Sequence, residues 1–456
     1  MSRRPRAPRS GGRIRLEDRI KQVIGPAETN RKNSNHPFPN GGTLLKASRL
    51  LSLGLAVSLL LAALAPASLA ADSAPPSTSY VAFGDSLTVG YEPGKSADDI
   101  PYGYVDRVYE QALLRGRAEM INYGIAGLNS LGLKNLLDAV TAEKLVKGAD
   151  IQPNLPDPRA DQVVSDTKAL KADIASASAI LITIGGNDFG AGIMTEAADW
   201  TDAQLDAFAA DKIKAYSDNL TSVLDDIFAI NGKVRVYVAD QYSPFPNINK
   251  SLYERLQKLK DRFTEKLNEI AKGYGATSMS VTAVPVADAF VGHEGTYTHI
   301  ASRDIHPNQN GYAKMAELFS KAIWGDYRSV TADSDSSPIT VFVVGRTVDT
   351  PHVPALLQGS TFVPLREYAE SLGATVDWDQ ATNTATVRYN GNSVALTIDS
   401  KTISVNGSAR SIDTDPPHAH ESAGETKTYI PLRLMAEGLG FDVKYVPQSR
   451  TAYINR

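Results

Sequence analysis

Five short apolar runs, separated by helix-length stretches across about 250 residues, limit what this chain can fold into more than any other feature. They lie at Tyr80–Phe83, Met120–Tyr123, Ala179–Ile184, Val234–Ala239 and Ser280–Val286. The first, third and fourth are almost continuously apolar, as strands covered on both faces must be. Between them, apolar residues recur at helical spacing. Ile213, Tyr216, Leu220, Val223, Leu224 and Ile227 form one stripe, closed by Gly232. Leu252, Leu256, Leu259, Phe263, Leu267 and Ile270 form a second, closed by Gly273, and Tyr312, Met315, Leu318, Phe319 and Ile323 a third. These stripes read as core rather than function. Strand–helix alternation of this kind predicts one α/β domain around a parallel sheet. Ligands bind such sheets at the carboxyl ends of the strands, so the residues just after each run matter most.

Four features occupy those ends. "FGDSLTVG" places Ser86 after the first run, and "NYGIAG" places Gly127 in a glycine-rich turn after the second. "ITIGGNDFG" breaks the third run at Asn187, and "SRDIHPNQNGY" puts His306 just before the last helix. Each alone is an ordinary turn or cap residue. Together they contain what ester cleavage by serine requires. Ser86 is the nucleophile candidate and His306 the base. The N–H of Ser86, the N–H of Gly127 and the Asn187 amide are candidate donors to an oxyanion. Glycine at 127 admits close backbone approach, and a neutral amide donates without titrating.

In these four blocks the chain closely resembles the GDSL, or SGNH, hydrolase family, over about residues 78–324. The resemblance implies a flavodoxin-like α/β/α sandwich, a flexible shallow site, and hydrolysis of esters or thioesters with no metal or other cofactor. It implies Ser86, Gly127, Asn187 and His306 as the diagnostic residues. The family's acid usually stands three residues before the histidine, where this chain has Arg303. Asp304, two residues before, is the candidate orienting acid if the loop is locally reshaped; a backbone carbonyl is the alternative, leaving a Ser–His dyad. Asp85 and Asp188 read as structural.

A polar stretch, 327–338, reads as a linker, after which a repeat appears. "TFVPLREYAESLGATVDWDQATNTATV" (361–387) matches "TYIPLRLMAEGLGFDVKYVPQSRTAYI" (428–454). Two such units predict a small α+β module, 339–456, whose halves complete one core. It resembles the copper amine oxidase N-terminal, or stalk, domain, which implies a spacer or a contact with the cell envelope. His352, His418 and His420 are its only histidines, too few to predict a metal site.

The chain of 456 residues has no cysteine, which excludes disulfides, thiolate metal sites and a cysteine nucleophile. Its charge is uneven. The first 49 residues carry 12 Lys/Arg against 3 Asp/Glu, whereas residues 71–456 have a net charge of −13. An acidic body argues against a nucleic-acid partner. Residues 1–43 are too basic and polar to pack and read as a disordered extension or as sequence ahead of the true start. Residues 44–70 read as a secretory signal: Lys46 and Arg49, then an apolar run, then Ser68 and Ala70 before a cut at Ala71. An uncleaved anchor is the rival reading, although the run is shorter than the ~20 residues a span needs.

The expectation is therefore a secreted serine esterase or lipase-type acylhydrolase, its hydrolase domain over 77–326, acting on a lipid, small ester or acetylated glycan. Removal of O-acetyl groups from envelope polysaccharide is one alternative. An inactive surface-binding protein is another, favoured only by Arg303. Segments 149–162 and 191–210 are candidate loops or short helices over the site.

Overall fold

The computed structural model describes residues 77–95, 99, 101–190, 200–330 and 339–456. The extension 1–43, the leader 44–70, residues 191–199 and most of the expected linker lie outside the described residues.

Five parallel strands form the first sheet: β1 (Thr78–Gly84), β2 (Ala118–Gly124), β3 (Ala179–Thr183), β4 (Arg235–Ala239) and β5 (Ser280–Val284). Each overlaps one of the five apolar runs. Their order is β2-β1-β3-β4-β5, the flavodoxin-like winding. The chain leaves β1 for one edge and returns past it to β3. Crossovers therefore run in opposite directions on either side of the β1/β3 boundary and leave a crevice at its carboxyl end.

Seven helices matter to the site: α1 (Ser86–Val89), α2 (Tyr104–Leu113), α3 (Ser130–Thr141), α4 (Thr167–Ser176), α5 (Asp202–Ile230), α6 (Lys250–Gly275) and α7 (Gln309–Trp324). Alternate residues of β1 point to opposite layers. Val81 and Phe83 join the core under α3, α4, α5 and α6, whereas Tyr80 and Ala82 join the core under α2 and α7. The body is thus an α/β/α sandwich. The second stripe runs past Gly273, and α6 ends two residues later at Gly275. Gly273 does not take the left-handed conformation of a C-cap glycine, and the helix runs through it.

The C-terminal unit is β-rich with two short helices, Leu365–Ser371 and Leu432–Gly438. The repeats supply equivalent pieces, and the halves interlock. Ile430 pairs with Val363 across antiparallel strands, and the C-terminal hairpin Asp442–Asn455 adds in parallel to Thr340–Val343 at the start of the unit. One core draws on both repeats, including Val363, Tyr368, Ile430 and Met435.

This unit is packed directly on the α/β body. Phe342, Val446 and Tyr453 share a buried cluster with Tyr109 and Leu113 of α2. The buried Glu110 carboxylate of α2 accepts from Tyr102 Oη (2.5 Å), Tyr453 Oη (3.1 Å) and Ser449 Oγ. Asn455 Nδ2 donates to the Leu113 carbonyl at 2.9 Å. The start of the expected linker is bound as well: Arg328 N donates to Gln111 Oε1 (3.0 Å), and Val330 is buried. A module that reads as a spacer thus shares apolar and hydrogen-bonded surface with the helix behind the turn that carries Ser86. Among the described residues, no helix is long and apolar enough to cross a membrane.

Candidate active site

The turn after β1 is built around a glycine. Gly84 has φ +145°, and a Cβ there would lie 2.1 Å from the Thr183 carbonyl oxygen. Any other residue would push β1 off β3. Asp85 follows as the cap of α1. Its carboxylate accepts from the Leu87 N–H and from Thr183 Oγ1, both at 3.0 Å, while its own N–H donates to Thr183 O. Thr88 Oγ1 lies 2.6 Å from Thr183 Oγ1 and 3.1 Å from Tyr104 Oη of α2. The Asn122 side chain ties Thr88 O to the Gly124 N–H at 2.7 and 2.9 Å. These bonds fix α1 against β2, β3 and α2, with Ser86 as its first residue.

Burial pushes the Asp85 carboxyl up to about 7. The folded chain therefore holds this proton more tightly than the unfolded one. The stability it contributes is complete below the ordinary carboxylate range, near pH 4, and is lost as pH rises through about 7. Burial raises Glu110, Asp188 and Asp240 with the same sign, so the Asp85 share has to be read by difference. Asp85→Asn keeps a capping oxygen and removes the titration. Its unfolding free energy falls less than that of the native protein between pH 4 and 7.5, by up to about 4 kcal/mol, and its thermal midpoint falls less in step. Parallel melting curves would refute this.

The histidine loop is braced from several sides. After the short 3-10 turn Ile300–Ser302, Arg303 takes a left-handed conformation with φ 61° and is exposed. That reversal brings Asp304 under the imidazole. Asp304 Oδ1 accepts from the main-chain N–H of His306 at 2.8 Å and lies 2.7 Å from His306 Nδ1. A carboxylate oxygen at Nδ1 selects the Nδ1–H tautomer, which leaves Nε2 as the acceptor. His306 Nε2 is 2.8 Å from Ser86 Oγ. His306 O accepts from the His299 N–H, Tyr242 Oη donates to Ile305 O, and the Tyr91 ring lies 4.5 Å from the imidazole. Gln309 Nε2 donates to the buried Glu92 at 2.6 Å and its Oε1 accepts from Arg107, which ties the start of α7 to α2.

Asn187 sits in the 3-10 turn Gly186–Phe189 that follows β3. One N–H of its amide donates to Leu128 O at 2.9 Å, which fixes the plane of the group and leaves its second N–H for another acceptor. Asp188 accepts from the N–H and hydroxyl of Ser130, anchoring the turn to α3. Gly127 has φ +80°, and a Cβ there would lie 2.5 Å from Pro156. Gln152 and Asp157 bond the neighbouring Gly127 O and Ala126 N–H, both at 2.9 Å. Segment 149–162, expected over the site, instead props the Gly127 turn from the side.

A pocket of about 300 Å³ brings Ser86, Asn187 and His306 to one surface. Gly127 and Asp304 are not among its lining residues. Tyr91, Tyr242, Glu92 and Gln309 escaped notice in the sequence because their partners come from distant segments. Leu256, Leu259 and Phe263, from a stripe that reads as core, also line the pocket.

A family model for the GDSL-like lipase/acylhydrolase family matches residues 82–314, more than half of the chain. The chain belongs to this family. In the C-terminal unit of this GDSL-like protein, residues 342–454 match the copper amine oxidase N-terminal domain. A search of curated proteins finds no match. Solved structures similar to it include the lipase Lip_vut3 from a goat rumen metagenome, at 21% identity over 54% of this chain and 97% of that one, with a TM-score of 0.39. Others are LAE5, an alpha/beta hydrolase from the metagenome of Lake Arreo in Spain (19%, 55% and 97%, 0.34), and Axe2, an acetylxylan esterase from Geobacillus stearothermophilus (17%, 54% and 94%, 0.33).

The copper in the C-terminal domain's name finds no fitting donor set. His418 Nδ1 is bonded to Pro416 O and His352 Nδ1 to Ser422 O. Among the described residues no three His, Asp or Glu side chains converge as metal ligands.

Proposed function

We propose that this protein hydrolyses carboxylic esters through an acyl-enzyme formed on Ser86. The observation that carries the reading is the unbroken series Ser86 Oγ, His306 Nε2, His306 Nδ1, Asp304 Oδ1, with gaps of 2.8 and 2.7 Å. Ser86 Oγ attacks the ester carbonyl while its proton passes to His306 Nε2. Asp304 stabilises the resulting imidazolium and keeps its ring plane. The carbonyl oxygen gains negative charge and is held by the N–H of Ser86, the N–H of Gly127 and the Asn187 amide. His306 then protonates the leaving alkoxide, the C–O bond breaks, and the acyl group stays on Ser86. Water, deprotonated by His306, attacks the acyl-enzyme and releases the acid.

Arg303, the feature that favoured an inactive protein, lies outside this series, because its left-handed turn delivers Asp304 in its place. A fluorophosphonate probe tests the reading. It should modify the native protein at Ser86 and leave Ser86→Ala unlabelled, and labelling elsewhere or none at all would sink it. The leader read over residues 44–70 supports action outside the cytoplasm. The exported protein should then begin at Ala71, and N-terminal sequencing that retains the leader would contradict this.

A further inference from the structure

The pocket extends well past the reacting atoms. Its walls beyond Ser86 are Phe189 from the turn carrying Asn187, Phe245 from the loop after β4, and Leu256, Leu259 and Phe263 from α6. The Phe263 ring packs 4.9 Å from Phe189 and 4.6 Å from Tyr216, so this wall is built of packed aromatic side chains. Of its polar wall residues, Ser243 has a hydroxyl with no hydrogen-bond partner among the described residues, whereas two others are held in place. Gln241 Nε2 donates to Ile184 O at 2.9 Å, and the Lys260 ammonium is bound by Asp261 and Asp288 at 2.8 and 2.7 Å. Lys260 therefore presents its methylene stem.

Chemistry decides which half of an ester enters. The leaving alcohol must take its proton from His306 Nε2, so it departs on the histidine side. The apolar wall of Phe189 and Phe263 stands on the side of the turn that carries Asn187, and this end of the pocket continues along α6. We infer that this end takes the acyl chain, and that the protein prefers esters of medium-chain acids, about six to ten carbons, to acetyl esters. The inference rests on Ser86 as nucleophile and deepens that reading. Volume sets the length: a dry apolar cavity of ~150 Å³ holds a benzene ring. The 300 Å³ here, which includes the mouth at Ser86 and His306, accommodates at most roughly twice as many non-hydrogen atoms. An acetyl group would occupy only the mouth and leave apolar wall uncovered. Each methylene moved from water onto such a wall is worth roughly a factor of four.

Two ester series test this on the mature protein. One holds a nitrophenol leaving group constant and lengthens the acid from acetate to dodecanoate. The other holds acetate constant and lengthens the alcohol. The acid series should peak at six to ten carbons, with kcat/KM at least about tenfold above acetate, and the alcohol series should show no such peak. Leu256→Trp, which fills the wall, should lower the octanoate-to-acetate ratio tenfold or more. Phe245→Ala, on a half-buried loop, should move the peak to longer acids and serves if the tryptophan variant does not fold. Ser86-dependent turnover that favours acetate, a peak that follows the alcohol, or a profile unmoved by both variants would overturn the acyl-chain assignment and leave ester hydrolysis standing. No Ser86-dependent turnover on any ester would overturn both.

Discussion

Replacing Ser86 with alanine lowers kcat/KM for a soluble acyl ester by about 10⁴-fold or more and leaves the protein folded. The size of the loss follows from chemistry that no neighbour can supply. His306 Nε2, 2.8 Å from Ser86 Oγ, would face a methyl group, and attack would pass to water without the covalent step. Donors around the oxyanion would survive, so some residual catalysis over water remains. Folding survives because the cap of α1 is Asp85, not Ser86, and the hydroxyl's hydrogen bond to His306 is worth only about 1 kcal/mol. Steady-state rates beside a thermal melt separate the two effects. If Ser86 is merely a polar turn residue, the rates of native and variant protein will coincide.

Asp304→Asn should lower kcat by about 10³- to 10⁴-fold with a nearly unchanged melting temperature. The amide of asparagine can still cap the His306 N–H through its oxygen. Yet one oxygen, Oδ1, meets both the His306 N–H and Nδ1. An asparagine that keeps this cap therefore offers Nδ1 a neutral acceptor without the charge that stabilises an imidazolium. One that flips presents its NH₂ to Nδ1 and favours the wrong tautomer. The rate of fluorophosphonate labelling at Ser86 should fall in parallel, a change that a purely structural role for Asp304 would not produce. Arg303→Ala is the control: the exposed side chain at 303 touches neither Ser86 nor His306 in the series described, so turnover should stay within a few-fold of native. Full activity in Asp304→Asn would point instead to a carbonyl-oriented Ser–His dyad.

The parts legible in the sequence are those determined by local pattern. Buried parallel strands must be apolar on both faces, so Tyr80–Phe83 and Ala179–Ile184 announce β1 and β3. Residues that break such runs, Gly84-Asp85-Ser86 and Gly185-Gly186-Asn187, fall at the crevice because the winding places strand ends there. What stayed hidden depends on three-dimensional detail. The role of Asp304 hangs on one left-handed residue, Arg303, that no composition rule favours there. Leu256, Leu259 and Phe263 have the same helical spacing whether they face a core or a cavity, so periodicity could not separate their two uses. Likewise, nothing in the sequence near Glu110 says that its hydroxyl partners, Ser449 and Tyr453, stand some 340 residues away.

The most direct test of the central claim is the covalent intermediate itself. The protein is mixed with an acyl ester, quenched in acid during turnover, digested and weighed peptide by peptide. The predicted result is one peptide, the one containing Ser86, heavier by the mass of the acyl group less one hydrogen, and no such adduct in Ser86→Ala. An acyl adduct on another residue, or full turnover in Ser86→Ala, would contradict the account.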